Sequence, residues 1–432
     1  MKAVVFGMGV SGSSVAEFLI EKGFSVFVYD DNPAAIDGNI LYGKLNRYDP
    51  DTVYDLAIVS PGFSPDHPAV ASVREKGVEV IGDIEFAGRY LKNEKIIAVT
   101  GTNGKSTTVS IISSLLKEAG FSTFLCGNIG TPVFQAIGKN YEFLVIEISS
   151  FQLETLSSVN PDVSVILNVS PDHLDRYVTY EEYVMTKVKL AKLTRPDGIL
   201  VLNGRDEALV AGCRAIPVEK KFFSLDFTGE IGYRDGVIYL GNDEIFVKET
   251  KLEGVHNVEN IMASVLAVSE WVKDFEIIRK AVNNFTPLPH RMEFVDKIGD
   301  VVFINDSKGT NVAATEKSLS GYSDKEVVLI LGGVDKGGSY EVLRELAETR
   351  CKGVVLIGEA KSRIKPCFED FFPLVEAESM QEAVEISFKL SENRGVVLFS
   401  PACSSFDWYK NYIERGNDFK NKVFGLKKEM SE

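Results

Sequence analysis

Lys95 to Gly120 reads KIIAVTGTNGKSTTVSIISSLLKEAG. It opens as a nearly continuous apolar strand, the pattern of a strand buried on both faces. From Lys105 the apolar residues recur at helical spacing. Between them lies the loop Gly101-Thr102-Asn103-Gly104-Lys105-Ser106-Thr107. Its glycines let backbone wrap closely around phosphate oxygens, and the new helix offers N–H groups and the positive end of its dipole. Lys105 can reach β- and γ-phosphates, and Ser106 or Thr107 can hold Mg2+. Val99 stands where the usual Walker pattern has its first glycine, so the loop is a variant of that pattern. The plain alternative is a glycine-rich turn with a solvated lysine. Strand, loop, Lys-Ser-Thr and helix in that order favour the phosphate reading.

The same texture recurs on both sides of this stretch. KAVVF, SVFVYD and DLAIVS precede it, FLVIEIS, VSVILNVS and GILVLN follow, and VVFIND, EVVLILGG, GVVLIG and GVVLFSP come late. Such runs, each ending in small or polar residues, predict an α/β chain with several doubly wound parallel sheets. Turn and β-branched residues between Lys220 and Lys251 predict a small antiparallel excursion. A charged break near Asn93 and the stiff segment around Pro287 and Pro289 divide the 432 residues into 1–93, 94–287 and 288–432.

With 47 Lys+Arg against 62 Asp+Glu the formal charge is −15, which argues against a surface that grips nucleic acid or anionic lipid. Anionic small molecules stay open, because a local lysine or a metal overrides the global field. The 45% hydrophobic content excludes disorder. Five cysteines, none at C-x-x-C spacing, predict a reduced, cytoplasmic protein without a zinc knuckle. No apolar run has the ~18 residues of a membrane span. The start, MKAVVFGMGVSGSSVAEF, is too short and too glycine-interrupted in its apolar part for a signal peptide.

Gly7-x-Gly9-x-x-Gly12 lies between a strand and a helix, and Asp30 ends the next strand near the spacing of a ribose contact. Read alone, this motif points to a nicotinamide enzyme, but any nucleotide diphosphate fits it, and a structural turn remains open. Glu147 ends a buried strand, where a carboxylate needs a partner; Mg2+ is the natural one, and a helix cap is the alternative. In NVSPDHLDRY, with Asp172, His173 and Asp175, His173 can ligate a second metal or stay a hydrogen-bonded loop residue. Lys187, by spacing, is indistinguishable from Lys189 or Lys192 on a solvated helix face. Asn257 and Asn260, three apart, can read an adenine edge or ribose. Arg291 can bring positive charge to a phosphoryl group. Asp306 to Asn311, Gly332 to Gly338 and Ser400 to Phe406 all follow strands; their lysines, hydroxyls and free N–H groups suit a small dicarboxylate. Cys403 reads as a packed residue rather than a nucleophile.

Taken in order, GMGVSG, SPG, GTNGKST, GNIGTP, EISSFQLE, DHLDRY, HNVEN, HRMEF, DSKGTN, GGVDKGG and SPACSSFD resemble the Mur ligases over essentially the whole chain. GTNGKST with HN-x-x-N and HR is shared with the wider superfamily, including folylpolyglutamate synthetases. GxGxSG in a short first domain, EISSFQLE and SPACSSFD narrow the resemblance to the members that add D-glutamate. Gly309 departs from it, standing where alanine is expected.

The resemblance implies a Rossmann-like domain for UDP, a central P-loop-type ATPase domain and a Rossmann-like domain for the amino acid. It implies ATP-dependent amide formation between UDP-N-acetylmuramoyl-L-alanine and D-glutamate through an acyl phosphate, with two Mg2+ ions, by a monomer. It assigns Lys105 and Ser106 to phosphate and Mg2+, Glu147 to one ion and His173 to the second. YVMTK aligns Lys187 with the family's carbamylated lysine, whose carbamate supports Mg2+. Asn257, Asn260, Arg291 and Asp306 then bind nucleotide. Gly9, Val10, Ser11, Asp30, Asp31, Asn32 and Ser60-Pro61-Gly62 bind the uridine diphosphate end, and Asn128 the muramoyl part. Lys308, Thr310, Lys336, Ser404, Ser405, Phe406 and Tyr412 surround D-glutamate. The third domain is expected to close over the acyl phosphate, with its hinge near Pro287. The readings to be set against this are a nicotinamide-dependent oxidoreductase fused to an ATPase, a folylpolyglutamate synthetase, and a nucleotide-binding module without catalysis.

Overall fold

The computed structural model describes residues 1–430 except 40, 42, 174, 175, 253, 323, 324, 369 and 372; Asp175 lies outside the described residues. The chain forms two compact units. Unit 1 comprises Met1–Val169, Tyr183–Thr250 and Glu259–Phe285, and unit 2 comprises Ser170–Glu182, Lys251–Val258 and Thr286–Glu432.

Unit 1 holds two sheets. The first contains β1 (Lys2–Phe6), β2 (Ser25–Tyr29), β3 (Asn46–Arg47), β4 (Leu56–Val59) and β5 (Val80–Gly82), in the order β3-β2-β1-β4-β5. All its pairs are parallel, with Phe6 beside both Tyr29 and Val59. The chain direction across the sheet reverses between β1 and β4, so the loops after these strands diverge and leave a crevice.

The second sheet contains β6 (Lys95–Thr100), β7 (Thr123–Gly127), β8 (Phe143–Glu147), β9 (Val163–Ile166), β10 (Ile199–Asn203), β11 (Glu219–Ser224), β12 (Ile231–Arg234), β13 (Val237–Leu240) and β14 (Asp243–Phe246). Its order is β14-β13-β12-β11-β10-β9-β6-β8-β7. β6 sits between β9 and β8, a second switch point, and delivers the glycine loop there. The antiparallel excursion is confined to β12–β14. β11 instead continues the parallel sheet beside β10, because its register follows the β10 strand rather than the later turns.

The two sheets of unit 1 are packed together through the short helix Asp83–Gly88. Phe18, Phe86, Tyr90 and Phe134 form an aromatic cluster there. A Cβ on Gly82 would lie 2.1 Å from the Thr155 hydroxyl, so this approach requires glycine. The Glu85 carboxylate accepts from the backbone N–H groups of Ser157 (2.7 Å) and Ser158 (2.9 Å) and from both serine hydroxyls. Burial acts to raise its pKa, but these bonds prevail and lower it.

Unit 2 contains β15 (Glu293–Ile298), β16 (Asp300–Asn305), β17 (Val327–Gly332), β18 (Cys351–Ile357), β19 (Leu374–Glu376) and β20 (Arg394–Phe399), ordered β15-β16-β20-β17-β18-β19. Only β15 runs antiparallel. Leu329 and Leu331 face one core and Val328 and Ile330 the other, the alternation of a strand covered on both faces. Each such side chain contributes roughly 1.5–3 kcal/mol on burial.

None of the five cysteines forms a disulfide. Burial pushes the thiols of Cys126 and Cys351 up to about 12 and those of Cys213 and Cys403 to about 11. Cys367 alone among them is partly exposed. Among the described residues no helix is long and apolar enough to cross a membrane.

Candidate active site

The loop after β6 carries the strongest chemistry. Gly104 adopts φ +85° as the residue before helix Lys105–Glu118, and a Cβ there would lie 2.3 Å from the Asn260 Oδ1. Lys105 Nζ donates to the carbonyls of Gly101 (2.7 Å) and Thr102 (2.8 Å). Ser106 and Thr107 are buried in the first helical turn. Thr102 pairs with the Tyr183 hydroxyl at 3.2 Å. Asn168 clamps Asn103 from both sides, accepting from its N–H at 2.9 Å and donating to its carbonyl at 3.2 Å. Asn260 accepts from the Thr108 hydroxyl at 3.2 Å.

Lys187 is only 1% exposed, on helix Tyr180–Leu193. Its Nζ donates to the Gly101 carbonyl at 3.0 Å and lies 4.4 Å from the Tyr183 ring centroid. The solvated-face reading therefore fails for Lys187. It holds for Lys192, which is exposed, while Lys189 reaches the Glu154 carbonyl at 2.9 Å. Two ammonium groups, those of Lys105 and Lys187, thus meet on one carbonyl oxygen.

Glu147 ends β8 at 1% exposure, with Asn128 Nδ2 donating to its Oε1 at 2.8 Å. It is not the cap of the next helix: Ser149 and Gln152 form that capping box. Among the described residues no three His, Cys, Asp or Glu side chains converge as a metal cage. The oxygen donors of Glu147 and Ser106 fit Mg2+, which takes one or two protein oxygens beside phosphate oxygens.

A second site of unit 1 is a cleft of about 420 Å3 at the first switch point. Of the residues assigned to the uridine diphosphate end, Gly9, Val10, Ser11, Asp30, Asp31, Ser60, Pro61 and Gly62 line it, together with Asn128. Asn32 has its side chain engaged as a helix cap, accepting from Ala34 N–H at 3.1 Å. Asp30 accepts from the N–H groups of Met8 (2.7 Å) and Asn32 (2.9 Å), which ties the glycine loop to β2. Ser60 donates to the Gly7 carbonyl at 2.8 Å, and a Cβ on Gly12 would stand 1.8 Å from that oxygen. Phe63 and Gln152 also line the cleft and escaped the sequence reading. Beneath it, buried Asp83 accepts from the side chains of Ser11 and Gln152 and from Ile84 N–H at 2.9 Å; burial pushes its carboxyl up to about 6.

Unit 2 carries a smaller pocket, about 200 Å3, lined by Asp172, Asn311, Asp335, Lys336 and Tyr340 among others. Asn311 Nδ2 donates to Asp172 at 2.8 Å, Lys336 Nζ stands 3.9 Å from Asp172, and His173 Nε2 3.7 Å from it. Tyr340 donates to Asp335 at 2.6 Å, and its hydroxyl meets Cys403 Sγ at 3.2 Å. Lys308 Nζ donates to the Tyr412 hydroxyl at 3.1 Å. Thr310 N–H donates to the Lys308 carbonyl at 2.9 Å, and Ser404 pairs with Val334 in an isolated bridge. Ser405 is buried, whereas Phe406 is 72% exposed. Asp306 accepts from the hydroxyls of Ser400 (2.7 Å) and Ser318 (2.8 Å); burial raises its pKa against these bonds and the charge of Arg291. Asn257 is buried near the start of helix Val255–Val268.

Comparison with known proteins bears on all three sheets. Family models described as Mur ligase MurD-like N-terminal domain, Mur ligase middle domain, and Mur ligase glutamate ligase domain match residues 1–82, 99–268 and 290–403. A UDP-N-acetylmuramoylalanine–D-glutamate ligase of Citrifermentans bemidjiense is 40% identical across 99% of this chain and 98% of its own. One from Geobacter metallireducens is 40% identical across 98% and 97%. In fold, the chain is similar to the UDP-N-acetylmuramate-alanine ligase MurC of Thermotoga maritima (TM-score 0.64, 19% identity, 99% and 100% covered). It is also similar to the MurF ligase of that organism in complex with ADP (TM-score 0.61, 18% identity, 88% and 97% covered).

Proposed function

This chain belongs to the Mur ligase family, and we propose that it joins UDP-N-acetylmuramoyl-L-alanine to D-glutamate in an ATP-driven amide synthesis of cytoplasmic peptidoglycan precursors. Its full-length 40% identity to ligases of that name carries the reading. The geometry agrees with it: a phosphate-type loop bearing Lys105 and a cleft at the first switch point share unit 1.

The chemistry sets what the residues must do. The alanyl carboxylate attacks the γ-phosphorus of ATP, a P–O bond to ADP breaks, and an acyl phosphate forms. The D-glutamate amine then adds to its carbonyl, and the tetrahedral intermediate expels inorganic phosphate as the C–O bond breaks. The first step brings two anions together, and two unit charges 4 Å apart repel by about 4 kcal/mol at an effective dielectric of 20. Lys105, and Arg291 in the role the resemblance gives it, would offset that charge. Mg2+, when bound, would neutralise phosphate oxygens and hold the transferring group in line. Ser106 and Glu147 would hold one ion, and His173 with carbamylated Lys187 would serve a second. Asn257, Asn260 and Asp306 would bind the nucleotide. Asp30, Asp31, Asn32, Ser60 and Asn128 would bind the UDP substrate. Lys308, Thr310, Lys336, Ser404, Ser405, Phe406 and Tyr412 would bind D-glutamate. On this reading the enzyme acts as a monomer and takes neither nucleic acid nor membrane as a partner.

The test is phosphate release that requires UDP-N-acetylmuramoyl-L-alanine, D-glutamate and Mg2+ together, with the amide product identified by mass. Phosphate release that ignores the amino acid, with no amide formed, would refute the reading. For the carbamate, Lys187→Ala is expected to lose activity and to regain part of it with added short carboxylic acids. A folded variant that no acid rescues would count against carbamylation.

A further inference from the structure

Arg415, in helix Tyr412–Glu429, is the largest fully buried side chain among the described residues, at 1% exposure. A buried guanidinium normally meets a carboxylate. Among the described residues, this one has only neutral partners at hydrogen-bond distance. Its Nε donates to the Ser307 hydroxyl at 3.1 Å, and its Nη2 to the carbonyls of Ser307 (2.8 Å) and Cys403 (3.1 Å). Nη1 donates to the Ser404 carbonyl at 2.9 Å. Asp407 and Asp306 act on it only through longer-range attraction, and burial lowers its pKa to about 10, so it remains charged at neutral pH.

These acceptors belong to different turns. Ser307 begins the turn after β16, and Cys403 and Ser404 lie in the turn after β20. Ser404 exchanges backbone bonds with Val334 (2.9 and 3.0 Å), which brings in the turn after β17. Ser307 Oγ donates to the Tyr412 carbonyl at 2.8 Å, adding the start of the helix itself. Gly333 packs against the same group: a Cβ there would stand 3.0 Å from Nη1, at a φ of +138°. The turns gathered in this way carry Lys308, Lys336, Ser404, Ser405 and Tyr412.

We propose that Arg415 is a positioning residue of the amino-acid site: its guanidinium holds these turns in register, and its buried positive charge, hydrogen-bonded among the described residues to neutral groups alone, biases the site toward an acidic amino acid. The inference rests on the D-glutamate reading above. Three neutral carbonyls and a hydroxyl orient the cation without cancelling it. The ligand's own carboxylates then add to the longer-range attraction of Asp306 and Asp407.

Steady-state kinetics of Arg415→Lys and Arg415→Met, with D-glutamate and with neutral D-glutamine as acceptors, test the inference. Arg415→Met is expected to raise KM for D-glutamate about 10- to 100-fold, the scale of lost charge-assisted hydrogen bonds, with a much smaller change in kcat. Its preference for D-glutamate over D-glutamine should fall about 10-fold or more. Arg415→Lys keeps the charge but loses the fork, so it should raise KM while retaining that preference. UDP-substrate affinity, read by calorimetry, belongs to unit 1 and should be unchanged in both. If KM for D-glutamate stays within twofold of wild type, or preference is unaltered in Arg415→Met, the inference is overturned. It is also overturned if all substrates weaken together. Should Arg415→Met fail to fold, Arg415→Gln with the same acceptor pair decides in its place. Wild-type protein that makes no product with D-glutamate would instead refute the functional reading, a result distinguishable from all of these.

Discussion

Beneath the 420 Å3 cleft of unit 1, the residue holding Ser11 and Gln152 is an acid, Asp83. Beneath the turns of unit 2, the residue holding Ser307, Cys403 and Ser404 is a base, Arg415. In each case a buried ionisable group bonds to neutral partners and fixes their geometry. The signs differ in consequence. An anionic substrate in the first cleft gains nothing from Asp83 and must rely on backbone N–H groups, such as those at the start of helix Val10–Glu21. On the inference drawn above, a dicarboxylate in unit 2 gains from Arg415. Their titration differs too, because the Asp83 carboxyl is pushed up to about 6 whereas Arg415 stays protonated. Asp83 is therefore a titrating support of the unit 1 cleft, which Arg415 is not for unit 2.

The most damaging test is steric. Gly12→Ala would put a Cβ 1.8 Å from the Gly7 carbonyl oxygen, and the glycine loop would have to move. UDP-substrate affinity should fall about 1000-fold, beyond the usual 1–3 kcal/mol of overpacking. Calorimetry on unit 1's ligand reads this directly, and normal binding would break the claim that the close approach shapes the cleft.

Next comes Asp83. Its folded carboxyl keeps a proton up to about 6, against 3.8 for an unperturbed aspartate. Between these values the folded state binds more protons than the unfolded, so the group's contribution to stability declines as pH rises from about 4 to about 6. The decline amounts to about 3 kcal/mol at most. Asp83→Asn abolishes the titration. Wild type should thus look most stable relative to the variant near pH 3.5 and least so near pH 7.5, by thermal unfolding. A pH-independent difference would remove the contrast between the two regions.

The smallest effect concerns Gly309. A Cβ there would stand 2.7 Å from both Asp306 Oδ2 and the Ser400 hydroxyl. Gly309→Ala should destabilise the chain by about 1–2 kcal/mol, the cost of mild overpacking, unless Ser400 turns away. An unchanged midpoint of thermal unfolding would show that this corner of unit 2 yields.

How much was legible in the sequence follows from the range of each interaction. The strand, glycine loop and lysine of residues 95–107 act within one turn, so spacing alone revealed them. Gly7, Gly9 and Gly12 did the same for the first cleft. Lys187 could not be separated from Lys189 and Lys192 by spacing, because burial against Gly101 depends on a partner 86 residues away. Arg415 and Ser307 are 108 residues apart, and Asn168 and Asn103 are 65 apart. No local pattern announces such pairs. Asn32 was readable in another sense: Asn before Pro33 is a helix-start signal, and the structure uses it as one. β11 joined the parallel sheet because the turn residues that mark an antiparallel excursion begin only after it.

The cysteines have a practical consequence. Four thiols are buried and pushed to about 11 or 12, leaving Cys367 as the one partly open to solvent. Thiolate-seeking dyes should therefore label the native protein almost solely at Cys367. Replacing Cys367 with serine would give a background quiet enough for fluorophores on introduced cysteine pairs, one in each unit, so that spectroscopy can follow the enzyme through turnover.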